Sequence, residues 1–265
     1  MNPKNILRQI MWPLLIILII ALFLWINTDT NFKTLIFSDL VKEVNATTIK
    51  KIVSIEDFEF AKDKVMMGSQ RSVVISREEK YLTAVHEAGH AIVASIVPEA
   101  DPVHKATVIP RGRSMGSTWQ LPEGDRHDYS KTFLKSQLAI LMAGRCAEKL
   151  VLEEISTGAS NDIERATEIS REMICSWGMS ENLGPLKFGT KNDSPFLGKQ
   201  LATVDSNYSQ ETARIVDEEM KHLIAEAETT ATNHLTQKRA ILEKLADVLM
   251  EKETVTGEEV KQMLS

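Results

Sequence analysis

Three observations predict a mostly α-helical chain with a small β-sheet, set behind an N-terminal transmembrane helix. Apolar residues recur at helical spacing in stripes that begin at capping residues. Two short β-like runs interrupt them once, within residues 104–121. Residues 10–26 run without a single charge.

The composition narrows the field further. Of the 265 residues, 43% are hydrophobic and 26% charged, which excludes a disordered chain. The net charge of −6, with no long basic run, argues against nucleic-acid binding. Two cysteines are too few for a disulfide scaffold or a Cys-rich zinc module. Cys146 and Cys175 both fall in helical patterns and are expected to pack as small apolar groups.

In chain order, residues 1–9 are a short flank and 10–26 the membrane helix, about 25 Å long at the helical rise. Trp12 and Trp25 stand near its two ends, and Pro13 lies in its first turn. No Ala-x-Ala pattern follows at Asn27-Thr28-Asp29-Thr30, so an uncleaved anchor is expected. Lys4 and Arg8 on one side balance Lys33 and Lys42 on the other, so basic residues do not fix its orientation. Residues 27–56 form a short extramembrane segment in which "TTIKKIVSI" reads as a strand, and 57–76 form a polar connector broken by Gly68. The remaining domain, 77–265, opens at the capping box Ser76–Glu79. Its first helix carries Leu82, Val85, Ile92, Val93 and Ile96 and stops at Pro98. The runs "HKATVIP" and "MGSTWQLP" suggest a hairpin, and further helices are expected over Ser130–Leu152 and from Ser160 to Trp177-Gly178. Three more follow the 182–198 loop: one capped by Ser209, one marked by Leu235, Leu242, Leu245 and Leu249, and one at the capping box Thr256–Glu259.

Within the first of these helices stands His86-Glu87-Ala88-Gly89-His90. Histidines four apart share one helix face, so two imidazoles can grip one zinc ion. Glu87 is placed to take a proton from water activated by that zinc, giving a nucleophile for a peptide carbonyl. The pattern arises by chance in about 1% of chains of this composition, so the zinc reading outweighs a helix that merely carries two histidines. Ala88, Gly89 and Ala91 are small and allow another element close to this helix.

Catalytic zinc usually keeps three protein ligands. The metzincin extension is absent, because Val93 and Ile96 occupy its Gly and His positions. His104 and His127 read better as ordinary histidines in strand or loop. Asp162, Glu164 and Glu168 all lie on the helix after "STGAS"; spacing does not choose among them, and either glutamate would make a His-His-Glu site.

The segments "TAVHEAGHAIV", "DPVHKATVIPRG", "LPEGD", "STGASNDIERAT" and "WGMSENLGPL" closely resemble the peptidase domain of the FtsH family, membrane-bound ATP-dependent zinc metalloproteases. "FEFAKDKVMMGSQR" resembles its connector, so the likeness covers about residues 57–265. The resemblance implies a zinc peptidase domain at 77–265, with His86, His90 and Asp162 as zinc ligands and Glu87 as catalytic base. It also implies a strand near 105–110 that pairs with extended substrate, a plasma (inner) membrane location, and hexameric rings. One departure stands out. No Gly-x-x-x-x-Gly-Lys-Ser/Thr loop occurs in the sequence, so no ATP site is recognised and the family's ATPase module is expected to be absent. The expected function is zinc-dependent endopeptidase action on unfolded or membrane-protein substrates. The alternative is a non-catalytic or partner-dependent subunit that joins full-length relatives in a mixed ring.

Overall fold

The computed structural model describes residues 54–188 and 208–265, apart from 72, 74, 113 and 123. The expected membrane helix at 10–26, and the strand reading before residue 54, lie outside the described residues. Among the described residues no helix is long and apolar enough to cross a membrane.

The chain divides into two compact units, Met1–Asp63 and Lys64–Ser265. Ser54 opens helix α1 (Ile55–Met67): the Asp57 backbone N–H donates to Ser54 Oγ at 3.2 Å, and the Ser54 N–H donates back to Asp57 at 3.1 Å. The connector is therefore helical over most of its length, which the sequence reading missed. Phe58, Phe60 and Val65 are all exposed. Gly68, at φ +85°, ends the helix with a backbone turn that side-chain-bearing residues resist.

In the second unit, α2 (Arg77–Ala94) starts at the expected capping box. Ser76 Oγ accepts from the Glu79 N–H at 3.1 Å, and the Glu79 carboxylate accepts from the Ser76 N–H at 3.2 Å. Its second half, Ala84 through Ala94, is buried all round. Helix α3 (Lys131–Val151), capped by Ser130, is the element that approaches it. A Cβ at Gly89 would lie 2.6 Å from Ala147 Cβ and 2.7 Å from the Ala143 carbonyl oxygen. Hydrogen is thus the only side chain this crossing admits.

A 3₁₀ turn (Thr157–Ala159) leads into α4 (Ser160–Cys175). Then come α5 (Gln210–Gln237), α6 (Arg239–Lys252) and α7 (Gly257–Leu264), the last opened by the reciprocal Thr256–Glu259 cap. The leucine stripe assigned to one helix belongs to two. Leu235 closes α5, the backbone breaks at Lys238 (φ −112°, ψ 24°), and Leu242, Leu245 and Leu249 lie on α6. No glycine or proline marks that break. All four leucines are fully buried, each contributing about 1.5–3 kcal/mol of transfer free energy. Helix α2 packs on α3 and α6, and α3 packs also on α4 and α5.

The expected hairpin is present as β1 (Val103–Thr107) and β2 (Ser117–Gln120), antiparallel with Ala106 opposite Thr118. A third strand, β3 (Thr254–Thr256), pairs antiparallel on the far side of β1 and gives the order β2-β1-β3. Three residues between two helices carry too little pattern to be read as a strand from sequence. Cys146 and Cys175 are buried free thiols, packed as expected.

Candidate metal centre

The buried half of α2 presents His86 and His90 one turn apart, with ring centroids 4.7 Å apart. Asp162, in the first turn of α4, faces both. The two Nε2 atoms lie 3.0 Å apart, and Asp162 Oδ2 lies 3.3 Å from that of His86 and 3.4 Å from that of His90. A tetrahedral zinc with bonds of about 2.0–2.1 Å requires its ligand atoms about 3.3 Å apart. The observed triangle has those dimensions.

The remaining ring nitrogens are committed elsewhere. His90 Nδ1 donates to the Ile140 carbonyl at 2.7 Å, and His86 Nδ1 donates to Glu148 Oε1 at 2.6 Å. A carbonyl oxygen can only accept, so His90 carries its proton on Nδ1 and turns a lone pair at Nε2 toward the centre. Glu148 is buried on α3, and its second oxygen accepts from the Ser156 N–H at 2.7 Å, just before the turn that leads to Asp162. One carboxylate thereby orients a histidine and anchors the segment that carries the aspartate.

The electrostatics suit a cation. Burial disfavours the charged His86 imidazole, but Asp162 and Glu148 outweigh it and its pKa is pushed up to about 10. Burial also raises Asp162, yet the hydrogen bonds and charges of His86 and His90 hold its carboxyl well below the usual carboxylate range. Glu148 behaves likewise: burial is outweighed by His86 and the Ser156 N–H, and its pKa falls. Without an ion, these neighbours favour a protonated His86.

Small residues make the centre possible. A Cβ at Gly144 of α3 would lie 2.5 Å from His86 Nε2 and 2.6 Å from His90 Nε2. The α3 backbone closes one side of the imidazole pair and leaves no room for a methyl group.

Glu87 lies beside this triangle and is 6% exposed. Burial pushes its carboxyl up, and His90, His86 and Thr118 offset part of that rise. Thr118 Oγ1 on β2 donates to Glu87 Oε2 at 2.7 Å.

Among the described residues, His86, His90 and Asp162 form the group of potential ligands that converges. Glu164 and Glu168 sit exposed on α4, His104 is half-buried on β1, and His127 is exposed in a loop. The strand expected to receive substrate near 105–110 is not an edge. Lys105–Thr107 pair with β2 on one side and β3 on the other, and the Val108 N–H donates to the Glu253 carbonyl. Among the described strands, β2 and β3 are the edges.

Sequence reasoning missed Glu148, Gly144 and Thr118. Glu148 had a signal: it sits seven residues after Leu141 and four after Gly144, a carboxylate on the buried stripe of α3. Gly144 is a helix-interior glycine, which costs about 1 kcal/mol against alanine and so asks for a reason. Thr118 carried none.

The model of "Peptidase family M41" matches residues 73–263. The chain is 48% identical over 235 residues to the ATP-dependent zinc metalloprotease FtsH of Magnetococcus marinus, covering 86% of this chain and 35% of that protein. The proteins of the same name from Acidobacterium capsulatum and Caulobacter vibrioides are each 46% identical, over 86% of this chain and 36% and 38% of their own lengths. This chain therefore spans little more than a third of these curated relatives. The match over most of its described residues places it: the chain belongs to peptidase family M41, the family of the FtsH zinc metalloproteases.

Proposed function

We propose that this chain is a zinc-dependent endopeptidase, with His86, His90 and Asp162 as the ligands and Glu87 as the proton acceptor. The observation that carries the reading is the triangle of inward-facing donor atoms, 3.0–3.4 Å on a side, beside the buried carboxylate of Glu87. Zinc supplies Lewis acidity when bound, lowering the pKa of water and polarising a carbonyl. The protein's own groups do the rest. Glu148 and the Ile140 carbonyl hold the imidazoles in one tautomer, and Asp162 supplies the negative charge. Glu87 takes a proton from water and returns it to the leaving amine. An extended substrate would add to the sheet at the β2 edge, reading backbone more than side chains, which suits unfolded segments.

The wider assignments follow the same reading. Residues 10–26 anchor the chain in the plasma membrane as a single span, ahead of a connector at 57–76 and the peptidase domain at 77–265. The chain acts on unfolded or membrane-protein segments, alone or in a ring with longer relatives, whose names describe ATP-dependent proteases.

The test is cleavage of an unfolded protein by the purified, zinc-loaded chain without ATP, against Glu87→Gln. Cleavage by the first and none by the second supports the reading. Equal cleavage by both refutes Glu87 as the proton acceptor. A folded, zinc-loaded wild type that does not cut points instead to a partner-dependent subunit.

A further inference from the structure

We infer that Thr118 is a positioning residue for Glu87: strand β2 holds a hydroxyl against the carboxylate and fixes which oxygen faces the reacting water. The inference rests on the role proposed for Glu87. Among the described residues, Thr118 Oγ1 makes the hydrogen bond to that carboxylate, at 2.7 Å to Oε2. The same oxygen lies 3.1 Å from the Glu87 backbone carbonyl, so the hydroxyl sits astride the residue rather than at its tip. One proton cannot serve both acceptors well, and the shorter contact is to the carboxylate.

A second observation points the same way. A Cβ at Gly116 would lie 2.9 Å from Glu87 Cγ and 2.8 Å from the Thr107 carbonyl oxygen. Gly116 immediately precedes β2, two residues before Thr118. The chain therefore lies along the Glu87 side chain at two points, its methylene stem against Gly116 and its carboxylate at Thr118. The strand is itself fixed, because Thr118 stands opposite Ala106 in the ladder with β1. Threonine adds stiffness, since its branched Cβ restricts χ1.

The geometry divides the work of the two carboxylate oxygens. Oε2 is occupied by the Thr118 hydroxyl. Oε1 is left to accept the proton. Without the hydroxyl the carboxylate could turn about its last torsion, which is broad for such groups. A proton acceptor must lie within hydrogen-bond reach of the proton it takes, so that freedom lowers the fraction of productive encounters. Because β2 is also a sheet edge, a substrate strand added there would press on the element that sets Glu87.

The test compares the zinc-loaded chain with Thr118→Val, which keeps the shape and removes the hydroxyl, and Thr118→Ser, which keeps the hydroxyl. The readouts are kcat and KM for cleavage of unfolded casein, zinc content and melting temperature. Thr118→Val should lower kcat about 10- to 100-fold, with KM and zinc content unchanged. Thr118→Ser should stay within about threefold of wild type. Full activity in Thr118→Val overturns the inference, as does an equal loss in both variants, which would assign the effect to packing. A parallel titration with a peptide hydroxamate, whose acidic O–H hands its proton to a neighbouring base, reads the carboxylate without turnover. Thr118→Val should bind it about tenfold more weakly, while Thr118→Ser should not, and equal binding by all three overturns the inference. If wild type and Glu87→Gln are equally inactive on casein, the peptidase reading of the isolated chain fails, and the hydroxamate titration still decides Thr118.

Discussion

Gly144→Ala adds one methyl group to the side of α3 that faces the two histidines. The new Cβ would stand 2.5 Å from His86 Cε1 and Nε2 and 2.6 Å from His90 Nε2. Carbon and nitrogen normally close to about 3.5 Å, so each contact overlaps by about 1 Å. Two relaxations compete. If α3 withdraws, overpacking costs about 1–3 kcal/mol, offset by the gain of about 1 kcal/mol for alanine over glycine in a helix. If the imidazoles swing away, their Nε2 atoms move by about half a zinc–nitrogen bond length. Helix α3 is backed by α4 and α5, so it has little freedom to withdraw and the rings are expected to move. Zinc affinity should then fall at least 10- to 100-fold, about 1.4–2.8 kcal/mol, while the metal-free melting temperature changes by no more than about 4 °C. A chelator-competition titration gives the first quantity and a thermal melt of metal-free protein the second. Zinc affinity within threefold of wild type would refute the claim that Gly144 borders the metal.

Four other outcomes are expected. Asp162→Ala should remove stoichiometric zinc, whereas Glu164→Ala and Glu168→Ala should retain it, as metal analysis after dialysis would report. Below its pKa of about 10 the metal-free His86 holds a proton that zinc must displace, so zinc affinity should rise about tenfold per pH unit between pH 6 and 9, and a flat profile would contradict the protonated His86. The same raised pKa stabilises the metal-free fold in full below about pH 6.5, and that contribution is lost as pH rises through about 10. Gly257→Ala would place a Cβ on the Val103 carbonyl of β1, and the melting temperature should drop by about 4–10 °C through displacement of α7 from the sheet, with a shift under 1 °C counting against that packing.

Much of the candidate site was legible in the sequence because the residues that converge sit at helical spacing or helix starts. His86 and His90 fall on one face of a helix whose first residue could be placed from Ser76 and Glu79 alone. Spacing left Asp162, Glu164 and Glu168 open on one helix and the family resemblance singled out Asp162, which in the structure faces both histidines. Glu148 and Thr118 come from elements distant in the chain, 62 and 31 residues from their partners. No local period encodes such meetings. The break at Lys238 carries no turn signal, and strand β3, although its Thr-Val-Thr is β-branched, is too short between two helices to be read. The connector helix α1 was hidden by its polar, charged composition and by the Gly68 that follows it.

The claim on which the account rests is that His86, His90 and Asp162 together hold one zinc ion. X-ray absorption at the zinc edge of the loaded chain tests it directly. The account predicts a first shell of nitrogen and oxygen at about 2.0–2.1 Å, with outer-shell scattering from two imidazoles that falls to a disordered or lost site in Asp162→Ala. A sulfur shell at about 2.3 Å, or scattering from a single imidazole, would contradict it.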